Sequence, residues 1–214
     1  MIIQEKRLCL TSEHMEITII KDTEMKVEKL EFDNGELWII DGAVPYTQRA
    51  IYYTAAIMCP YKYTLNSSPL PENYDSLQWA CYLKEDQNLL NFWMGLVEFL
   101  PDDLKARAKS RQVHQPNLNY VNALSKFKVH TDGPNADTEF MVYYINPTWN
   151  VTWGGETVFF DDTGEKQVYV SQFIPGRIIY GTGNIPHIVR PPSPHALPRW
   201  SSTFRFINAR HTDH

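Results

Sequence analysis

The second half of the sequence consists of short β-rich runs separated by turn residues. Regularly spaced short strands of this kind are typical of all-β sandwiches and barrels. Eight such runs predict a double-sheet jelly roll, an architecture that encloses a cavity between its two sheets. We therefore expect a mainly β protein whose jelly-roll core covers about residues 117–208. The eight runs lie at residues 117–122, 126–132, 139–146, 156–160, 167–173, 177–181, 186–190 and 200–208.

Helices are expected to flank this core on its amino-terminal side. Apolar residues recur at helical spacing between residues 86 and 100, which predicts an amphipathic helix. Pro101 suits the first position of the next helix. Proline lacks a backbone N–H, and the N–H of a residue at that position has no partner within the helix. The predicted elements are a strand at residues 36–41, helices at 46–58, 86–100 and 101–110, and a loop at 61–74.

Length and composition favour one domain. The chain has 214 residues, of which 43% are hydrophobic, and this is enough to bury a core. We assign residues 36–214 to that domain and residues 1–35 to an amino-terminal extension. A net charge of −5 without a basic block argues against nucleic acid as a partner.

The sequence also predicts a cellular compartment. No segment has the length of a membrane span, and the amino terminus lacks a signal-peptide pattern, so we expect a cytoplasmic protein without a membrane partner. Cys9, Cys59 and Cys81 are widely spaced and contain no Cys-x-x-Cys pair, which predicts reduced thiols. Oligomeric state is not predicted.

Two histidines and one aspartate are spaced as ligands of a non-haem Fe(II). In an extended strand, side chains i and i+2 share a face, so His130 and Asp132 both point inward while Thr131 points outward. His187 lies 57 positions after His130, among apolar and β-branched residues that predict another strand. Two imidazoles and one carboxylate hold such a metal on one side and leave the opposite side open for chemistry.

A second His-x-Asp triplet, at His211 and Asp213, lacks this context. Only His214 follows it, so no distal histidine or arginine lies downstream. Chain termini are usually solvated, and we interpret this copy as a tail.

Four segments, taken in order, resemble successive landmarks of the 2-oxoglutarate- and Fe(II)-dependent oxygenases. The nearest branch is that of the prolyl 4-hydroxylase-like enzymes. One departure is the basic residue after the distal histidine, which is often lysine in that branch and is arginine here. The resemblance implies a double-stranded β-helix core, the cupin-like form of the jelly roll. The four segments are Lys128–Asp132, Trp153–Phe159, Pro186–Val189 and Arg199–Phe204.

The resemblance also implies a set of cosubstrates and residues. His130, Asp132 and His187 hold Fe(II), which also binds 2-oxoglutarate and O2; ascorbate supports the reaction in vitro. A planar guanidinium can grip a carboxylate through two parallel hydrogen bonds, so Arg199 is chosen for the far carboxylate of 2-oxoglutarate. Ser201 matches a hydroxyl that assists the arginine.

Several further assignments are less direct. Arg190, Arg205 and Arg210 are rivals of Arg199, and strand parity does not exclude Arg205. The remaining candidate residues are Tyr120, which matches a family tyrosine that reaches the cosubstrate, and Trp149 and Trp153, which offer indoles for substrate near the cavity mouth.

The implied reaction is hydroxylation of an unactivated C–H bond, with succinate and CO2 as coproducts. Asp132 favours hydroxylation over halogenation, because related halogenases replace this carboxylate by a small residue. The expected substrate is a peptidyl proline or an amino acid. Two alternatives stay open: a cupin-like metal enzyme that does not use 2-oxoglutarate, and a jelly-roll binding module.

Overall fold

The computed structural model describes the backbone of residues 5–10, 15–20, 24–67, 74–133 and 137–208. Side chains are described for residues 24–63, 79–133 and 137–208. Three helices are described: α1 (Tyr46–Ile57), α2 (Gln87–Met94) and α3 (Asp102–Lys109). The strands are β1 (Glu5–Leu10), β2 (Met15–Ile20), β3 (Lys26–Phe32), β4 (Gly35–Asp41), β5 (Lys62–Ser67), β6 (Tyr74–Tyr82), β7 (Gln112–Val121), β8 (Lys126–Phe127), β9 (Glu139–Tyr144), β10 (Thr157–Phe160), β11 (Gln167–Ser171), β12 (Ile178–Thr182), β13 (His187–Val189) and β14 (Arg199–Ile207).

Two antiparallel sheets form the centre of the fold. The large sheet has the order β3-β4-β12-β9-β14-β7-β6-β5, and β8 pairs with β6. The small sheet has the order β11-β10-β13, and a single bridge from His130 to His187 extends it beyond β13. The predicted jelly-roll architecture, mainly β with flanking helices, is confirmed.

Each face of the large sheet packs against a different layer. Alternation along β14 illustrates the division, because successive side chains of a strand point to opposite faces. Phe204 and Phe206 join Trp93 of α2 and Leu104 of α3 in the core beneath the helices. A second core lies between the two sheets. It contains Leu37, Ile39, Phe140, Tyr144, Phe159, Phe173, Ile179 and Ile185.

The helix predictions agree with the structure, but the predicted loop at residues 61–74 is wrong. There, β5 and β6 form an antiparallel pair in which Lys62 lies opposite Ala80. The residues that suggested a loop, Pro69 and Pro71 among them, lie between the two strands and outside the described residues. The predicted helix at residues 86–100 ends at Met94 and continues as a 3-10 turn.

The strand predicted at residues 126–132 is also wrong in extent. β8 ends at Phe127 and pairs with β6 of the large sheet, whereas His130 pairs with His187 of the small sheet. The chain therefore passes from the large sheet to the small sheet between Phe127 and His130, so residues 126–132 do not form one continuous strand. Asp132 lies beyond the bridge, in a bend.

The amino-terminal segment contributes strands of its own. β3 lies within the predicted extension and pairs along its length with β4, from Lys26 opposite Asp41 to Phe32 opposite Gly35. β1 and β2 pair with each other. The division at residue 35 stays a prediction. Among the described residues, no helix has both the length and the apolar character needed to cross a membrane.

Candidate metal centre

The structure brings His130, Asp132 and His187 together at one end of the small sheet. Reciprocal backbone hydrogen bonds join the two histidines, with N···O distances of 3.0 and 2.9 Å, and their ring centroids are 4.5 Å apart. One potential ligand atom from each of the three residues lies within 4.8 Å of the other two. The two stretches of chain predicted to meet therefore do meet.

Main-chain carbonyls orient both imidazoles. Nδ1 of His130 lies 3.0 Å from the carbonyl oxygen of Lys128, and Nδ1 of His187 lies 2.9 Å from that of Ile185. A carbonyl oxygen only accepts hydrogen bonds, so each Nδ1 carries the proton and each Nε2 presents a lone pair. Such an outer partner commonly fixes the tautomer of a metal-binding histidine.

Asp132 is buried, and its two oxygens have different surroundings. Oδ1 accepts hydrogen bonds from Arg205, at 3.0 Å from Nε and 2.6 Å from Nη2. Oδ2 has no hydrogen-bond partner among the described residues and lies 3.4 Å from Nε2 of His187. Neighbouring ligand atoms on one metal ion are about 3 Å apart. A buried carboxylate oxygen that faces an imidazole lone pair fits a cation between them.

Electrostatics keep these groups in the forms that bind a metal. Burial and then the neighbouring His130 lower the pKa of His187 to about 4, so its ring is neutral near pH 7. Burial opposes the charge of Asp132, but His187 and Arg205 outweigh burial and hold the pKa of this carboxyl below its usual value. Phe140 and Phe159 pack around the His187 ring, with centroids at 5.5 and 5.6 Å.

Arg199 is fully buried, with 1% of its surface exposed. Its guanidinium carbon lies 5.0 and 5.2 Å from the ring centres of Tyr144 and Phe173. Its nitrogens make long hydrogen bonds, 3.4 Å to Oγ of Ser201 and 3.2 Å to Oγ1 of Thr157. No carboxylate of the described residues forms an ion pair with it; the charge of Glu156 acts on it, but burial outweighs that charge and lowers the pKa of Arg199. A buried guanidinium without an anion fits a bound carboxylate.

Sequence reasoning missed Thr157 and Tyr144. The Tyr144 hydroxyl donates to Oγ1 of Thr157 at 2.8 Å, and both groups surround the Arg199 guanidinium. Both residues lie on strands that were predicted, and the alternation of side chains along those strands is the signal that indicates them. Ser201 lies on the same face of β14 as Arg199, as expected.

Tyr120 lies on the opposite face of the large sheet from Arg199, so its position does not support the predicted contact with the cosubstrate. It lies opposite Trp200 on the face of β7 that packs under the helices, and its ring contacts Trp200 at 5.3 Å and Tyr61 at 6.1 Å. Its neighbour Asn119 occupies the inward position instead. The Asn119 amide donates to Oγ1 of Thr203 at 3.0 Å, while its Oδ1 has no partner among the described residues.

The three arginines considered as alternatives to Arg199 differ in their positions. Arg205 is engaged with Asp132. Arg190 is exposed and donates to Gln167 at 3.4 Å. Arg210 lies outside the described residues, as does the second His-x-Asp triplet.

Trp149 and Trp153 pack against each other beside Arg199. Their ring centroids are 5.2 Å apart, and Nε1 of Trp149 donates to the carbonyl of Gly154 at 2.9 Å. A Cβ placed on Gly155 would lie 3.0 Å from the Trp149 ring and 3.5 Å from Cδ of Arg199. Trp149 and Arg199 therefore lie on either side of Gly155, and substrate contact by either tryptophan stays a prediction.

Comparison with known proteins shows which solved structures share this fold. No protein-family model matches the sequence, and no curated protein matches it. Solved structures do match. A prolyl hydroxylase from Trichoplax adhaerens, in complex with a peptide fragment of hypoxia inducible factor, has a TM-score of 0.62 and 17% identity, over 81% of this chain and 84% of that one.

Two further structures show the same likeness. A member of the 2OG-Fe(II) oxygenase family from Burkholderia pseudomallei has a TM-score of 0.57 and 13% identity, over 77% of this chain and 81% of that one. The α-ketoglutarate-dependent epimerase SnoN of nogalamycin biosynthesis has a TM-score of 0.55 and 11% identity, over 81% and 78%. The chain therefore has the fold of the 2-oxoglutarate- and Fe(II)-dependent oxygenases, prolyl hydroxylases among them.

Proposed function

We propose that this protein is an Fe(II)- and 2-oxoglutarate-dependent dioxygenase that hydroxylates an unactivated C–H bond, with succinate and CO2 as coproducts. The observation that carries the proposal is a pair of incomplete polar sites that border the same core between the two sheets, where His187 contacts Phe140 and Arg199 contacts Tyr144. At one site, three side chains that could hold a metal each place one ligand atom within 4.8 Å of the others, and Oδ2 of Asp132 has no hydrogen-bond partner among the described residues. At the other, the buried guanidinium of Arg199 forms no ion pair with a carboxylate of the described residues.

The residues divide the chemistry between them. His130, Asp132 and His187 would hold the metal on one side and leave positions open for the 2-oxo acid end of 2-oxoglutarate and for O2. Arg199 would bind the far carboxylate through its two terminal nitrogens, aided by the hydroxyls of Thr157 and Ser201. When bound, Fe(II) and 2-oxoglutarate supply the oxidising chemistry that side chains lack.

Asp132 supports hydroxylation as the outcome. A carboxylate at this position occupies the metal site that a halide would otherwise take. The epimerase of the same fold demonstrates another outcome, and the product mass distinguishes the two because an epimer gains no oxygen.

We further propose a peptidyl proline as the substrate, with a free amino acid as the alternative. Support comes from the Trichoplax prolyl hydroxylase, which has the same fold and was solved with a peptide. The exposed position of His130 supports entry from solvent on the metal side. A reducing, cytoplasmic setting suits Fe(II), and the described cysteines, Cys59 and Cys81, are free thiols.

The test is succinate formation by the purified protein with Fe(II), ascorbate and 2-oxoglutarate. We expect slow succinate release without substrate and faster release with a substrate. Arg190→Met removes an exposed arginine near His187 and serves as the matched control with unchanged release. Absence of both succinate and 2-oxoglutarate binding would instead favour the cupin-like enzyme or the binding module.

A substrate screen completes the test. The protein is incubated with a library of proline-containing peptides and amino acids, and the products are analysed by mass spectrometry. A gain of one oxygen atom on a peptide supports the prolyl proposal. A gain on a free amino acid alone overturns the peptide assignment but keeps the reaction.

A further inference from the structure

Arg205 contacts Asp132 in an unsymmetrical way. Two of its nitrogens, Nε at 3.0 Å and Nη2 at 2.6 Å, donate to the same carboxylate oxygen, Oδ1. Oδ2 receives no hydrogen bond from the described residues and faces His187. The ion pair therefore uses one oxygen of the carboxylate and leaves the other for a metal.

The local backbone is shaped to make this contact. Arg199, Ser201, Thr203 and Arg205 alternate onto the inner face of β14, and the pairing of β14 with β7 shifts register between Thr203 and Arg205. Opposite this irregularity, Gln115 has a φ of 45°, which is unusual for a residue other than glycine. Bulges and positive φ values often occur beside functional sites, where they aim a side chain.

Gln115 supports Arg205 from behind. Its Oε1 accepts a hydrogen bond from Nη1 of Arg205, the terminal nitrogen that does not contact Asp132. All three donor nitrogens of the guanidinium are thereby directed: two toward Asp132 and one toward Gln115. This arrangement holds Oδ1 of Asp132 in position through two hydrogen bonds.

We infer that Arg205, braced by Gln115, is a positioning residue that keeps Asp132 a one-oxygen ligand of the metal. The inference rests on the proposed function. A carboxylate can bind a metal through one oxygen or through both. With Oδ1 held by Arg205, only Oδ2 is available, and the metal keeps three positions for cosubstrate and O2. With Oδ1 released, the second oxygen would compete for one of them.

The experiment uses the full-length protein loaded with Co(II), whose visible spectrum reports its coordination. Oxalate is the probe, because it chelates the metal at two positions and does not need Arg199. We expect Arg205→Met to change the Co(II) spectrum and to weaken oxalate binding about tenfold, within the range of outer-partner substitutions at metal sites. Arg205→Lys keeps the positive charge but lacks the paired N–H donors of the guanidinium. We expect its Co(II) spectrum and its oxalate affinity to lie between those of the wild type and Arg205→Met.

Two controls separate positioning from other roles. Arg190→Met removes a nearby exposed arginine, and we expect wild-type oxalate binding. Arg199→Met removes the proposed cosubstrate cation, and we expect wild-type oxalate binding with loss of 2-oxoglutarate binding. Gln115→Ala removes the brace and is expected to shift the spectrum in the same direction as Arg205→Met, by a smaller amount.

Each result of the Arg205→Met experiment either supports or overturns the inference. Wild-type spectrum and oxalate affinity in Arg205→Met, with a folded circular dichroism spectrum, overturn the inference. Tighter oxalate binding also overturns it, because it would show that Arg205 acts only by repelling the metal. Where Arg205→Met does not fold, Arg205→Lys and Gln115→Ala decide by the same readouts. A wild-type protein that binds no Co(II) refutes the proposed function itself.

Discussion

Replacing Arg199 by methionine tests the anion site most directly. Methionine keeps the aliphatic stem that packs beside Gly155 and removes the charge. The guanidinium now makes two long hydrogen bonds, 3.4 Å to Ser201 and 3.2 Å to Thr157, and lies over two aromatic rings. A bound carboxylate would replace these contacts with two shorter, charge-assisted hydrogen bonds.

The magnitude follows from those contacts. Each charge-assisted hydrogen bond contributes about 1.5–3 kcal/mol, and removing one partner of a buried charge pair costs about 2–5 kcal/mol. A loss of about 3–4 kcal/mol corresponds to a Kd for 2-oxoglutarate raised roughly 150- to 700-fold. Without ligand, the substitution removes a buried, unpaired charge, so the free energy of unfolding should stay unchanged or rise by about 1–2 kcal/mol.

Two assays measure these effects. Isothermal titration calorimetry on the Mn(II)- or Co(II)-loaded protein gives the Kd for 2-oxoglutarate, and urea denaturation of the metal-free protein gives its stability. The expected signature is lost ligand affinity together with retained or higher stability. The reasoning is refuted if Arg199→Met binds 2-oxoglutarate normally but unfolds more readily, because Arg199 would then be a structural residue.

Three further predictions test other parts of the site. Asp132→Ala should abolish succinate release, while His211→Ala in the carboxyl-terminal triplet should leave it unchanged; the reverse result would invert the ligand assignment. Gly155→Ala adds a Cβ 3.0 Å from the Trp149 ring at a φ of +83°, so urea denaturation should show a loss of about 1–3 kcal/mol. Unchanged stability would mean that the ring moves freely. Thr157→Val removes a hydroxyl beside the anion site and should raise the Kd for 2-oxoglutarate about tenfold, by calorimetry; no change would exclude Thr157 from that site.

The local pattern of the chain was a good guide to its strands. Runs bounded by turn residues predicted β9 to β14 closely, because β-branched and aromatic residues between turn residues are a local signal that a short sequence shows directly. Spacing also indicated that His130, Asp132 and His187 would share a site. The hairpin of β5 and β6 was missed, since the Pro-rich residues between the strands dominated the composition of that segment.

Residue type and spacing determined which side chains could form a metal site and an anion site. Tertiary structure decided where the arginines lie: Arg199 and Arg205 have the same parity on β14, and only packing buries one beside Tyr144 and places the other on Asp132. Tertiary pairing also turned Tyr120 away from the cavity. The physical reason is how far along the chain the interacting residues lie from each other. A face of a strand follows from neighbours along the chain, whereas the group met across the cavity depends on which distant strands pair and in what register.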